Sequence, residues 1–322
     1  MTTDDCFISV IVPVRNDPNR VRELLACLAA QTLPRDRFEV VVGDDGSAAG
    51  ALEGIATADG WVRVVSGPPR TSYAARNRAV RGAHGAVLAF CDSDCQPRPN
   101  WLESGLAALE QADVVAGEVT FIAPARPTAW SLLTMDIYLD QSRNVLFARG
   151  VTANLFVRRP VYEAIAGFDE SLLSGGDYDF VTRAVAHGAR LIYSPGAVVL
   201  HPTLDTAQAY LRKVWTTNRW AAARRSREGR PLNLGIILTF FPFIGMARAR
   251  QRTFRPLLQL TRPRLAISGV QANWLDDIVT MSLLYTCISY VAGASRIRGW
   301  VDGRRMRRER LKASARSEAA RA

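Results

Sequence analysis

The sequence predicts an α/β fold: a mostly parallel sheet flanked by helices, with a helical C-terminal extension. Three observations predict it. Continuous apolar, β-branched runs recur along the first 121 residues; helix-period segments separate them; and the polar residues gather just after the runs. Phe7–Val14 (FISVIVPV) is the first buried strand. Asp17-Pro18 then supplies an N-cap and a proline at the first helical position, and Val21, Leu24, Leu25 and Leu28 share one face of the helix. Phe38–Gly43 and Val62–Ser66 follow as strands, Ser72–Ala83 as a helix, Ala86–Cys91 as a strand, Pro99–Gln111 as a helix and Val114–Phe121 as a strand. Ligands of such sheets sit beyond the carboxyl ends of the strands, so the residues after each run are the ones to inspect.

Beyond Thr120 the alternation loosens. Trp130–Leu139 reads as helical and Thr152–Val157 as extended. Asp177–His187 is a predicted helix, Arg190–Tyr193 and Ala197–Leu200 are short strands, and Ala207–Arg227 is a long helix. Two uncharged apolar stretches come next, Leu232–Ala247 and Ile278–Ser295, with arginines at their flanks. Residues 303–321 are basic and predicted to be disordered.

The 322 residues carry a net charge of +11, very unevenly distributed. Residues 1–215 hold 20 Lys+Arg against 24 Asp+Glu, whereas residues 216–322 hold 21 against 6. An acidic body and a strongly basic end imply two physical tasks. All but two of the basic residues are arginine, whose planar fork suits phosphate oxygens. The five cysteines make no CxxC pair, and the polar N-terminus lacks a signal-type apolar core, so a reducing cytoplasm is expected. Cys91 and Cys95 read as small buried hydrophobes.

The strand Phe38–Gly43 ends in Asp44-Asp45-Gly46-Ser47, and Ala86–Cys91 ends in Asp92-Ser93-Asp94. Both acidic clusters fall at one edge of the sheet. Neighbouring carboxylates repel unless a cation or separate partners intervene, and Mg²⁺ or Mn²⁺ bound to a substrate phosphate supplies such a cation. Either cluster alone could be ordinary turn chemistry. On consecutive α/β units, together they favour a site.

The ordered pieces Ile11-Val12-Pro13-Val14-Arg15-Asn16, Val42–Ser47, Ala75-Arg76-Asn77, Asp92-Ser93-Asp94, Arg158-Arg159, Gly167–Glu170, Gly176–Asp179 and His201 resemble a family 2 glycosyltransferase with the GT-A (Rossmann-like) fold. The resemblance covers about residues 6–215. It implies that Pro13 and Arg15 line a nucleotide pocket, and that Asp44 or Asp45, with Asp45 favoured, accepts from the base. It implies that Arg76 positions the donor phosphates or braces the acidic turn. Asp92 then bonds ribose or sugar hydroxyls, and Asp94 ligates Mn²⁺ or Mg²⁺, joined by His201 unless that histidine is structural. An inverting displacement needs a base. The resemblance offers Asp177, with Asp179 as the alternative, because Gly176 stands where the family often has Glu. Asn154 and Trp215 are lesser candidates for acceptor contacts.

The implied function is transfer of a sugar from a nucleotide-sugar donor to a lipid-linked or glycan acceptor, as in polysaccharide biosynthesis. A UDP-sugar is favoured, and dTDP- and GDP-sugars remain alternatives. The organisation expected is a nucleotide half (6–120), an acceptor half (121–215) and a basic helical region (216–322). Arginine-flanked apolar stretches suit an anionic membrane surface on the cytoplasmic side, against a soluble helical lobe as the other reading. Competing classes are a catalytically impaired nucleotide-sugar binder and a nucleic-acid binder acting through the tail. No nucleic acid is expected, since the tail lacks a recognisable module. A response-regulator switch would need a lysine after a late strand, and the first 212 residues contain none.

Overall fold

The computed structural model describes residues 7–122, 124–126, 128–137, 139–232 and 278–319. They fall into two compact units, one formed by Met1–Ile122 with Ile137–Pro202, the other by Ala123–Asp136 with Thr203–Ala322.

The first unit starts with β1 (Ile8–Val14), every residue of which is buried. Helix α1 (Pro18–Ala29) is capped as its sequence predicts: the Asp17 carboxylate accepts from the Arg20 N–H at 3.3 Å. Strands β2 (Phe38–Asp44) and β3 (Val62–Val65) follow. Next come α2 (Ser72–Arg81), β4 (Val87–Cys91), the two-residue β5 (Gln96–Pro97), α3 (Trp101–Ala108) and β6 (Val114–Phe121).

The β1 strand lies between β2 and β4, parallel to both, and β3 extends the sheet beside β2. This places the ends of β1, β2 and β4 on one edge, because parallel strands share a carboxyl end. The rest of the sheet is mixed. After α4 (Ala129–Ile137, in the second unit) and α5 (Gln141–Val145), β7 (Asn154–Arg158) inserts antiparallel between β4 and β6. Helices α6 (Arg159–Ala164) and α7 (Gly176–Ala186) then lead to β8 (Leu191–His201), which is parallel to β6 and antiparallel to β5. The full order is β3-β2-β1-β4-β7-β6-β8-β5.

The two short strands predicted around Ser194-Pro195-Gly196 are one strand, β8. Gly117 pairs with Ser194 and Glu118 with Val198, so the intervening residues bulge out of the ladder instead of ending it. A proline and a glycine signal a break in sequence, and a bulge accommodates both.

The core of this unit has two faces. Val10, Val12, Val40 and Val42 pack with Leu24, Leu28 and Trp101 on one. Ile11, Leu88, Phe90 and Leu155 pack with Tyr162, Phe168 and Phe180 on the other. The Phe168 and Phe180 rings stack at 4.3 Å, and Tyr73 lies 5.9 Å from Phe168. Each such pair contributes about 0.5–1.5 kcal/mol beyond its buried area. The cluster fixes α7 against α2 and the sheet.

In the second unit, α4 packs Leu133 and Trp130 against Tyr210 of α8 (Ala207–Arg227). Helix α8 lies along α9 (Ile278–Ala319). The contacts Asn218–Arg296, Arg219–Asp302 and Gly229–Arg307 advance together along both helices, so the two run parallel. Their backbones approach closely. A Cβ at Gly299 would collide with the Arg219 carbonyl oxygen, and one at Gly303 with that of Ala223. Spaced by four, these glycines lie on one face of α9.

Residues 303–319 were expected to be disordered and are instead the last turns of α9. Arg305 pairs with Glu309 one turn later, and composition alone does not register such helical pairing. No helix among the described residues is long and apolar enough to cross a membrane, which includes the predicted stretch Ile278–Ser295. The stretch Leu232–Ala247 lies outside the described residues from position 233 onward.

Candidate active site

The sheet brings the predicted residues to one edge of the first unit. Pro13 and Arg15 close β1, and Pro13 pairs in register with Gly43 of β2. Asn16 takes a left-handed backbone (φ 55°), which lets its side chain accept from Ala48 N–H at 2.8 Å while its own N–H donates to Ser47 Oγ at 2.8 Å. Those two bonds tie the end of β1 to the turn after β2. Asp44 and Asp45 are both buried in that turn. The Asp44 carboxylate accepts from Ser47 N–H and that of Asp45 from Arg70 N–H, each at 2.8 Å. Both acids thus have backbone partners, which answers the repulsion that the sequence posed.

Arg76 projects from α2 and is almost wholly buried. One terminal nitrogen donates to the Asp92 carboxylate, and its Nε has no partner. The guanidinium carbon lies 5.8 Å from the Tyr73 ring. Arg76 also senses Asp177, the second residue of α7, as does Asp92. Residues from β4, α2 and α7 thus share one electrostatic neighbourhood.

Burial pushes the Asp177 carboxyl above the usual carboxylate range, and Arg76 and the Tyr178 N–H only partly offset it. The carboxyl stays partly exposed although protein surrounds it on most sides. Its Oδ1 accepts from Tyr178 N–H at 3.0 Å. Tyr73 holds the start of the helix, since its hydroxyl accepts from Gly176 N–H at 2.9 Å.

Asp94 lies at the turn after β4 and faces His201 at the end of β8, with 3.8 Å between Oδ1 and Nε2. Burial and the nearby Asp92 raise the Asp94 carboxyl, and His201 opposes them. The Nδ1 of His201 lies 2.7 Å from the Pro202 carbonyl oxygen. A carbonyl only accepts, so Nδ1 carries a hydrogen, and Nε2 is the nitrogen turned toward Asp94. With Cys95 these residues form a cluster whose ligand atoms lie within 4.8 Å of one another. The thiol of Cys95 is buried and held well above its ordinary pKa, first by its hydrogen bond with Cys91. It points toward the Ala153 carbonyl oxygen at 3.7 Å. The donor set offered outward is one carboxylate and one imidazole.

Residues 9–165 match the family model for glycosyl transferase family 2. Over 257 residues the chain is 36% identical to glycosyltransferase AglE of Haloferax volcanii, a match spanning 75% of this chain and 84% of AglE. The chain belongs to glycosyl transferase family 2. It is also 30% identical, over 205 residues, to the pre-mycofactocin glycosyltransferase of Mycobacterium tuberculosis, covering 60% of this chain but only 42% of that protein. Among solved structures it resembles the mannosyltransferase PcManGT from Pyrobaculum calidifontis in complex with GDP-Man and Mn²⁺. The TM-score is 0.58 at 19% identity, covering 92% of this chain and 87% of that one. That likeness concerns the fold, and it places this glycosyltransferase in the GT-A architecture.

Asp179 of the glycosyltransferase is engaged differently from Asp177. Arg183 donates to it at 2.8 Å and also holds the carbonyl oxygens of Ile165 and Gly167, each at 2.7 Å. Asn154 is fully buried: it accepts from Trp101 Nε1 and donates to the carbonyls of Glu118 and Ala197. Both amide hydrogens are used inside the core and no part of it is exposed, which removes it as an acceptor contact. Trp215 is partly exposed on α8 in the other unit.

Two residues had no role assigned from the sequence. Tyr73 was one more aromatic on a helix face. Asn77 accepts from the Tyr162 hydroxyl at 2.6 Å and the Phe168 N–H at 3.0 Å, and donates to the Phe168 carbonyl and to Glu170. Its adjacency to Arg76 in the motif was the available signal.

Proposed function

We propose that this glycosyltransferase inverts the anomeric centre as it moves a sugar from a nucleotide donor to a lipid-linked or glycan acceptor. The arrangement of Asp92, Asp94 and Asp177 around Arg76 and His201 carries this reading. Pro13, Arg15, Asp44 and Asp45 form the base and ribose end of the donor pocket, at the ends of β1 and β2. Arg76 screens the acids from one another, and its fixed bond to Asp92 keeps that carboxylate turned toward the donor hydroxyls.

Asp94 and the Nε2 of His201 suit a divalent ion. One hard oxygen and one imidazole nitrogen match Mn²⁺ well and Mg²⁺ less well, and substrate phosphates would complete the shell. Such an ion supplies charge that stabilises the diphosphate as it leaves. Asp177 is the base. Among the described residues no side-chain cation bonds its oxygens, whereas Asp179 is tied to Arg183. Its raised affinity for protons suits removal of one from an acceptor hydroxyl. The attack passes opposite the leaving diphosphate, as in inverting glycoside chemistry with an alcohol in place of water.

The sequence resemblance favours a uridine donor. GDP-mannose is the second reading, because PcManGT, whose fold this chain shares, was captured with GDP-Man and Mn²⁺. The sequence resemblance is the basis for expecting a lipid-linked or glycan acceptor, and the arginines of residues 216–322 for an anionic membrane surface on the cytoplasmic side. A screen of UDP-, dTDP- and GDP-sugars for Mn²⁺-dependent nucleotide release tests the reading. Turnover with one donor class, lost on EDTA treatment and restored by Mn²⁺, is expected. Turnover that persists in EDTA would reject the metal assignment, and product that retains donor stereochemistry would reject inversion.

A further inference from the structure

The helix pair of the second unit contains a cavity of about 300 Å³ whose walls include Asn218, Arg225, Leu232, Arg296 and Trp300. That volume is at the small end for ligand sites, about 300–1,000 Å³, and suits a head group better than a whole nucleotide sugar. Two arginines and a tryptophan supply its charged and N–H donor groups. Arg296 is largely buried, and its Nε donates to Asn218 Oδ1 at 2.8 Å. The Asn218 amide in turn donates to the Val214 carbonyl at 2.9 Å, so Asn218 serves to aim the guanidinium. Among the described residues no carboxylate pairs with Arg296 or Arg225. The nearby acids are committed elsewhere: Asp302 to Arg219 and Arg298, and Glu228 to Arg230 and Arg224. Burial alone lowers the Arg296 pKa, as expected of a cation taken from water without a counter-charge. The Trp300 indole N–H is buried without a hydrogen-bond partner, and Arg304 lies over that ring at 4.7 Å.

We propose that this cavity binds a phosphate group, held by the forks of Arg225 and Arg296 and by the Trp300 indole N–H. Guanidinium forks that line one cavity and, among the described residues, lack a carboxylate match phosphate oxygens in geometry and charge. The alanines of α8 and Leu232 form an apolar wall that would accept the glycerol or chain end of a lipid. The site lies in the helical unit and its ligand is distinct from the sugar donor, so the inference stands whether or not the transfer reading holds.

Flotation of the full chain with vesicles of phosphatidylglycerol in phosphatidylcholine, against phosphatidylcholine alone, is the test. The control R308Q/K312Q removes the same charge from exposed positions of α9. The double variant R225Q/R296Q is expected to weaken binding to the anionic vesicles by about tenfold or more, as for lost charge-assisted hydrogen bonds, and the control by less than about threefold. W300F keeps an aromatic ring, removes the indole N–H and is expected to cost about fivefold; it carries the test if melting shows that R225Q/R296Q fails to fold. In a second arm, inorganic phosphate is titrated into the chain and its competition with vesicles is measured. Phosphate binding that needs Arg225 and Arg296, without vesicle binding, assigns the site to a soluble phosphate. Equal losses for the cavity pair and its control, or no response of either probe to the cavity variants, overturn the proposal.

Discussion

The two units handle charge in opposite ways. In the first, acids are drawn together and each is given a reason to stay: Asp44 and Asp45 by backbone N–H groups, Asp92 by Arg76, Asp94 by His201. In the second, arginines outnumber acids and are spread along two helices, with Asp302 and Glu228 each shared by two of them. Convergent charge demands a scaffold whose strand ends are fixed, which the sheet provides. Dispersed charge needs only helices, whose spacing in α8 and α9 is set by glycine.

The sharpest way to break this contrast is through Asp177. Asp177→Asn is expected to reduce kcat by about 10³-fold, within the range for loss of a general base. Donor affinity measured by calorimetry should stay within about twofold. An equal loss of both would make Asp177 a binding group. Next in size, Asp94→Ala should weaken Mn²⁺-dependent donor binding at least as much as loss of an outer-shell partner, about 10–100-fold. His201→Ala should follow it in the same titration. Unchanged metal dependence in both variants would dissolve the proposed centre.

The helical unit is probed by Gly299→Leu. The larger side chain cannot fit against the Arg219 carbonyl, so overpacking is expected to cost about 1–3 kcal/mol in thermal or urea unfolding. Donor binding should remain within about twofold. A matching loss of donor binding would mean that the two units do not divide the work as described.

The smallest effects come from pH. The acid limb of kcat/KM should fall at a pH above the usual carboxylate range, because Asp177 must lose its proton to act and its environment holds that proton. The same shift has a stability cost. A carboxyl raised in the folded state binds protons more tightly there than in the unfolded chain, so stability drops as pH rises past the ordinary value of about 3.9. Asp177→Asn should therefore melt slightly higher than wild type at neutral pH, and the gain should vanish below that range. A lower melting temperature at neutral pH would contradict the shift.

Much of the fold was legible because local and global signals agreed. The β1, β2 and β4 strands, buried along their length, read as predominantly apolar, β-branched runs, and Asp17-Pro18 announced α1. The insertion of β7 between β4 and β6 was not legible, since antiparallel pairing across 63 residues (Cys91 to Asn154) and more leaves no local mark. The acids of the site were visible as motifs at strand ends. Their partners were not: the Pro202 carbonyl that orients His201 is backbone, and Tyr73 acts through a hydroxyl whose target lies 103 residues away. In the tail, charge composition favours disorder, and helical pairs such as Arg305 with Glu309 favour the helix that forms.

Asn77 carries a consequence for how this protein assembles. Its amide joins α2 to Tyr162, Phe168 and Glu170, positions 85 to 93 residues farther along the chain. Closing so long a loop is entropically slow, and the bonds beside the junction, from Arg70 to Glu170 and from Gly176 to Tyr73, span loops at least as long. The apolar strands can therefore collapse well before Asp177 is seated. During that interval the polypeptide would possess a sheet and a nucleotide edge yet lack chemistry. Maturation of the catalytic centre, by this logic, is timed by an asparagine that never meets a sugar.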